Sequence, residues 1–282
     1  MLGIIGSLVG AQRYQWSGGA PRIPLKTIAE AAISAAGAAL LLGVIWQFAA
    51  MLSKGDLPGP LPTLRVFWDM VGNPLYNNGP NDKGVGLQLA ASLRRVFIGF
   101  SLGAAAAIPL GMLLGLSSWS RRILDPITQI LRPVSPLAWF PMGLAAAHSV
   151  ETATLFVIFI TSLWPTVVNT AFGVRSLPQQ HRNVARVFQF SRWKYVSRVL
   201  IPYSLPHILT GLRLSMGIAW LVIVAGEMLS GNTGIGFFIW DSWNALSLER
   251  VMSAILLIGL IGVVLDRGFE YLVQRFSYQE AE

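Results

Sequence analysis

An all-α integral membrane protein with about six transmembrane helices is the fold class this sequence predicts. Two observations carry the prediction. Hydrophobic residues make up 54% of the 282 residues and charged residues only 12%, about half the charged fraction of a soluble domain. The apolar stretches also reach the roughly 20 residues that a helix needs to cross about 30 Å of hydrocarbon. The formal charge of +8 fits basic residues gathered at one membrane face, where they set orientation and meet anionic headgroups.

The spans follow in order. Ile28 to Leu52 is the first, with Glu30 its only charge. Lys54 to Gly86, rich in Pro, Gly and Asn, reads as an extramembrane loop, and Leu61 to Val71 within it as a short amphipathic helix with Phe67 and Trp68 at the lipid surface. Val96 to Leu116 is the second span, closed by Arg121 and Arg122. Ile123 to His148 is the weakest, because Pro126, Pro133, Pro136 and Pro141 interrupt it and Asp125 and Arg132 charge it. Such a segment persists only where protein or a wet cavity satisfies its freed backbone groups, which places it inside an assembly. Thr152 to Phe172, Leu209 to Leu229 and Val251 to Tyr271 complete the six. Ser230 to Leu248, rich in Gly and Trp, reads as a re-entrant or surface segment.

Lysine and arginine counts favour both termini in the cytoplasm, because that choice collects Arg13, Arg22, Lys26, Arg121, Arg122, the basic loop between Arg175 and Arg198, Arg267 and Arg275 on one side. The apolar start, Met1 to Gly10, has no basic residue ahead of it and Arg13 behind it, the wrong order for a cleaved signal peptide. The chain contains no cysteine and three scattered histidines, His148, His181 and His207, so no metal site and no catalytic centre is expected. It also lacks the Gly-x-x-x-x-Gly-Lys-Ser/Thr phosphate loop, so any ATPase must be another subunit.

The loop 175–207 has no acidic residue and is too apolar to be merely solvated. Val184, Val187 and Phe188 recur at helical spacing, so that face is expected to rest on the membrane domain and to leave Arg186, Gln189 and Arg192 for a partner. Tyr195, Val199 and Leu200 form a second short face before Pro202 ends the run. A helix, a turn near Ser191 and a second helix make a protruding knob.

This stretch resembles the EAA loop of the permease subunits of binding-protein-dependent ABC importers. Ala185 fits its second Ala, Ser191-Arg192-Trp193 its tail, and Ile201-Pro202 and Leu205-Pro206 its closing prolines. Asn183 stands where Glu is usual, Val184 replaces the first Ala, and Gln189 occupies the place of the Gly. Further segments look like the same family: Ala91 to Val96, Arg132 to Trp139, Thr210 to Arg213, Gly226 to Leu229, and Gly234 to Asp241. Their wording is similar to the nitrate, bicarbonate, taurine and sulfonate branch, and most like nitrate and bicarbonate permeases.

The resemblance implies a type I ABC importer permease fold over 85–275, with a coupling loop at 175–207, a cytoplasmic segment at 1–27, the first span and external loop at 28–84, and a cytoplasmic tail at 276–282. It implies the pore subunit of an ATP-driven importer in the bacterial inner membrane, nitrate ahead of bicarbonate and of taurine or sulfonates. The partners implied are a second permease copy, two ATPase subunits that bind ATP and Mg, and an extracytoplasmic substrate-binding protein. An ATP-independent secondary transporter is the rival, and no inverted repeat supports it. The residues implied for the ATPase contact are Asn183, Ala185, Arg186, Gln189, Phe190, Ser191 and Arg192. For a translocation pathway the candidates are Arg213, Ser135, Trp139, Thr161 and Asn169, since charges within spans are default cargo sites. Arg213 could equally snorkel to the surface, and Ser and Thr in spans also serve helix packing. Glu227 is expected to tie helix ends together or to pair with Arg94 or Arg95, Asp266 to anchor at the interface, and Trp240 and Trp243 to form an interfacial belt or part of an outer gate.

Overall fold

The structure is a computed structural model that describes residues 25–53, 55–79 and 82–276. The predicted segment 1–27 lies almost wholly, and the tail beyond Phe276 wholly, outside the described residues. The chain divides into two units, Met1–Pro60 and Leu61–Glu282.

In the first unit, α1 (Leu25–Leu52) exposes large apolar side chains all round, among them Leu40, Leu41, Leu42, Val44 and Phe48. A helix apolar on every side suits a lipid surround. Its far end is tied down locally. Ser53 Oγ accepts from Leu57 N at 3.0 Å, and Trp46 Nε1 donates to Pro58 O at 3.0 Å.

The second unit begins with α2 (Pro60–Gly72). Phe67 and Met70 face inward, while Leu61 and Trp68 point out, so of the aromatic pair predicted for the lipid surface only Trp68 is exposed. Then come α3 (Val85–Leu116), α4 (Ser118–Leu131), a 3-10 turn (Pro136–Ala138), α5 (Trp139–Ala147), α6 (Val150–Arg175), α7 (Gln179–Val187), α8 (Arg192–Tyr195), a π turn (Val196–Leu200), α9 (Ile201–Ser230), α10 (Ile235–Asn244) and α11 (Leu248–Phe276). Among the described residues four helices are long and apolar enough to cross a membrane: α3, α6, the continuous run Arg192–Ser230, and α11. The predicted third span at 123–148 is no single helix. α4 stops at Leu131, ahead of Pro133 and Pro136, which lack backbone donors; the chain turns through Pro136–Ala138, and α5 ends on a left-handed His148 at φ 50°. Other boundaries lie outside their predicted positions because charged and Pro-bearing flanks join the helices. α3 starts at Val85 because Gln88, Ser92 and Arg95 are satisfied internally, and Pro202 follows directly on the π turn Val196–Leu200, the kind of local adjustment that accommodates a proline within a membrane helix.

Glycines set the direction of the two central helices. A Cβ on Gly99 would come within 2.7 Å of Ile158, and one on Gly111 within 2.6 Å of Thr170; Gly103 faces Ser162 and Gly115 faces Val174. Each facing pair differs by the same number of positions, so α3 and α6 run parallel, backbone against backbone along a small-residue seam. Residues 117–149 must therefore return the chain to the end where α3 began, and the broken α4–α5 segment makes that return. α9 packs antiparallel on α6: Gly173 meets His207, Gly211 meets Asn169, and Thr166 Oγ1 bonds Ser215 Oγ at 2.8 Å. α11 lies along α9, where Trp220 Nε1 donates to Ile258 O at 3.1 Å. The core sits among these helices, with Val96, Ile158, Met216, Ala219 and Ile223 at its centre.

Candidate functional site: an exposed knob and two ionic ends

The knob begins where α6 ends. Tyr203 OH donates to Ser176 O at 3.1 Å and pins the start of α9 to that end. At the end of α7, Phe190 N donates to Ala185 O at 2.9 Å and Gln189 N to Arg186 O at 3.0 Å, the paired bonds of a Schellman cap. Its left-handed position is Gln189, at φ 48°, which explains why a glycine suits this place. Ser191 then caps α8, its Oγ accepting from Lys194 N at 3.3 Å. The helix, turn and second helix expected from sequence are present.

Arg186, Gln189 and Arg192 are exposed as expected, but the apolar residues expected to rest on the membrane domain are exposed with them. Ala185 is the buried residue, while Val184, Val187 and Phe188 are exposed, Val187 at 79%. A small Ala lets the helix approach the domain closely, whereas the branched and aromatic side chains would hold it off. The outward surface thus combines Val184, Val187, Phe188 and Trp193 with Asn183, Arg186, Gln189, Ser191 and Arg192. Phe190 turns partly inward under Lys194, whose Nζ lies 4.3 Å from its ring centre. Among the described residues no carboxylate pairs with Arg186, Arg192 or Lys194. Nor does Pro202 end the second run. α8 passes through the π turn straight into α9, giving one 39-residue rod, Arg192–Ser230.

The end of the bundle away from the knob holds a buried ionic network. Glu227 is wholly buried. Its carboxylate accepts from Arg95 Nη1 at 2.8 Å, from Ser92 Oγ at 2.7 Å and from Gly236 N at 3.1 Å. Arg95 reaches further, with Nε 2.8 Å from Glu151 Oε2 and Nη1 bonded to Thr233 O. Gln88 Oε1 accepts from Gly234 N at 2.6 Å, and Ser92 Oγ from Ile235 N at 2.9 Å. These side chains hold the first amides of α10, which a helix start leaves unpaired. Gly234 and Gly236 are glycines because a Cβ on either would overlap Glu227 or the Val224 carbonyl. Glu227 thus pairs with Arg95, while Arg94 pairs with Glu151 at 3.2 Å. Sequence reasoning missed Gln88 and Ser92; their recurrence at i, i+4 with Arg95 at i+7 was the available signal. Trp240 and Trp243 on α10 are both exposed.

The second ionic cluster lies towards the knob end, on the seam of α9 and α11. Arg213 binds Asp266 through two bonds of 2.7 Å, and Glu270 lies 3.7 Å away. They line a cleft of about 520 Å³ with Gly259, Gly262, Val263 and Arg267. Asp266, expected to anchor at the interface, instead bridges two helices. The other pathway candidates are separate from it. Thr161 is buried and donates to Val157 O at 2.6 Å, and Asn169 donates to Pro165 O at 2.8 Å, both within α6. Ser135 is exposed at the break before α5, and Trp139 stands edge-on to Phe156 at 6.4 Å. Among the described residues no group of three or more His, Asp or Glu side chains is placed to hold a metal.

Residues 107–278 match the family described as binding-protein-dependent transport system inner membrane component. The chain belongs to this family. It is a multi-pass membrane protein of the permease type. It is 44% identical over 240 residues to the nitrate import permease protein NrtB of Synechocystis sp., covering 85% of this chain and 87% of that one. It is 43% identical over 232 residues to the bicarbonate transport system permease protein CmpB of Synechococcus elongatus, covering 81% and 84%. Among solved structures, the MetNI methionine ABC transporter superposes with a TM-score of 0.57 at 14% identity, over 66% of this chain and 93% of that one. That likeness carries the type I importer permease fold to this family member.

Proposed function

We propose that the chain is the transmembrane permease subunit of an ATP-driven importer whose cargo is nitrate. The observation that carries this is the 44% identity to a nitrate import permease across 85% of the chain. Bicarbonate is the second reading, favoured by a bicarbonate permease at nearly equal identity.

In this reading two copies line one pathway in the inner membrane, with both termini and the knob in the cytoplasm. ATPase subunits, which bind ATP and Mg, dock on the knob, and a soluble binding protein delivers cargo at the α10 end. The geometry suits force transmission. Val184, Val187 and Phe188 offer an apolar surface for a cleft in the ATPase, ringed by Asn183, Arg186, Gln189, Ser191 and Arg192, with Ala185 and Phe190 behind it. Movement of the knob reaches α9 through the π turn, with no break in the helical chain, along a run about 58 Å long at 1.5 Å per residue. Near the end of the run Glu227 meets α3 and α10 directly and α6 through Arg95, so displacement at the ATPase changes the packing at the far end. A ligand moves such an equilibrium only by binding its two states differently, which the ATPase does by closing on ATP.

Of the pathway candidates, Ser135 and Trp139 stand at the exposed break and are assigned to the path. Thr161 and Asn169 bond to their own helix, and the Arg213 charge is taken up by Asp266 and Glu270. The experiment is ATP hydrolysis by the reconstituted complex with its binding protein, compared across nitrate, bicarbonate and taurine. Stimulation by nitrate supports the proposal, and stimulation by bicarbonate alone replaces the cargo.

A further inference from the structure

The arginine that meets the anionic cargo inside the membrane is, we infer, Arg132, at the head of a polar stripe on α4 that faces a water-filled path. The inference rests on the importer reading for its cargo and on geometry for its position.

Depth comes first. Because α3 and α6 run parallel in a fixed register, positions along them can be read against each other. Trp139 lies against Phe156 on α6, which by the same register as Gly99 and Ile158 sits level with Phe97 near the outer end of the α3 apolar stretch. The chain leaves α3 at Leu116, the opposite end. Between Ser118 and Trp139 it therefore climbs nearly the whole apolar slab, about 28 Å by the helix rise. The 14 residues of α4 supply at most about 21 Å of that climb. The seven steps from Arg132 to Trp139, shortened by the 3-10 turn Pro136–Ala138, reach at most about 20 Å, so Arg132 lies about 8 to 21 Å into the slab from its knob end.

Surroundings come second. Arg132 is exposed, and among the described residues its guanidinium has neither an ion pair nor a hydrogen bond. It differs in this from Arg95 and Arg213, which both have carboxylate partners. An unpaired arginine at membrane depth does not face lipid; it faces a wet cavity. On α4 the exposed Arg122, Gln129 and Arg132 follow at i, i+7 and i+10, one stripe along the helix, and the exposed Ser135 continues it past the helix end. Trp119, Ile123, Ile127 and Ile130 occupy a separate apolar face. The stripe gives an oxyanion two free guanidinium groups and neutral donors along one line, with only Asp125 to oppose them. Guanidinium suits the planar oxygens of such an anion.

The absence of cysteine from the chain makes the test direct. Arg132→Cys and Ile130→Cys are made singly in the assembled complex and exposed to charged, membrane-impermeant thiol reagents. Arg132→Cys is expected to react about tenfold faster than Ile130→Cys, because only its side chain meets water. A cationic reagent is expected to restore part of the lost transport, and an anionic reagent of similar size to restore none. Arg132→Gln should lower cargo-stimulated turnover about tenfold, and Arg132→Lys should recover only part of that loss, since the point charge remains but the planar fork is gone. An unreactive Arg132→Cys in an assembled complex, or wild-type turnover by Arg132→Gln, overturns the inference. Turnover is read with whichever of nitrate, bicarbonate or taurine stimulates the wild type. Loss of the nitrate reading, seen in the wild type, is thereby separate from loss of the role of Arg132, seen in the variants.

Discussion

Arg95 Nη1 lies 2.8 Å from Glu227 Oε1, and both side chains are buried where α3, α6, α9 and α10 meet. Removing one member of a buried pair strands the other charge and typically costs about 3–5 kcal/mol. Glu227→Ala is therefore expected to lower the thermal stability of the detergent-solubilised complex sharply. Glu227→Gln, which can still accept from Ser92 and Gly236, should lower it less. Equal stability of Glu227→Ala and wild type in a thermal size-exclusion assay would remove the network from its structural role.

The α3–α6 seam predicts a position-specific penalty. Gly111→Val places atoms against Thr170 and the Val167 carbonyl, whereas a Cβ on Gly217 of α9 meets nothing within 4 Å. Overpacking of this kind costs about 1–3 kcal/mol. Gly111→Val should reduce the yield of folded protein in the membrane, and Gly217→Ala should match wild type. Equal yields of the two variants would mean that the seam is looser than its geometry indicates.

Gln189 holds a left-handed conformation at φ 48°, which costs a side-chain-bearing residue about 1–2 kcal/mol. Gln189→Gly is expected to slow hydrogen exchange of the 184–191 backbone about fivefold, since 1 kcal/mol is roughly that factor. Gln189→Val should speed it. Faster exchange in the glycine variant would contradict the Schellman geometry.

The outward face of α7 carries the fourth prediction. Val187 and Phe188 are exposed at 79% and 70%. Replacing both with Asp should abolish copurification of the ATPase subunit, while the permease itself stays folded because neither side chain packs in its core. Retention of the ATPase by this variant would place the contact elsewhere.

Periodicity and composition made the long helices legible, because an uninterrupted apolar run of 20 residues has few other outcomes. Three features were not legible, each for a physical reason. The segment 123–148 reads as one span because Pro126 lies within α4 and Pro133 beyond it, and prolines in a membrane segment do not say which of them breaks the helix. On α7 the apolar side chains were misplaced because hydrophobicity normally marks the inward face, whereas here the small Ala185 makes the close approach and the larger Val184, Val187 and Phe188 are left outside. In the buried network the pairing of Glu227 with Arg95 was among those expected, but the bonds of Gln88 and Ser92 to Gly234 and Ile235, more than 140 residues away, were missed. The knob itself was legible from its basic, acid-free composition and from the two short apolar faces on either side of Ser191.

The central claim is nitrate import driven by a partner ATPase. Its most direct measurement is nitrate-dependent ATP hydrolysis by the complex of this permease with its ATPase and binding protein, reconstituted in a lipid bilayer. The account predicts that nitrate with its binding protein raises turnover severalfold over either alone, and that the Val187 and Phe188 double variant abolishes the response. An active complex whose turnover is indifferent to nitrate and rises only with another cargo would contradict it.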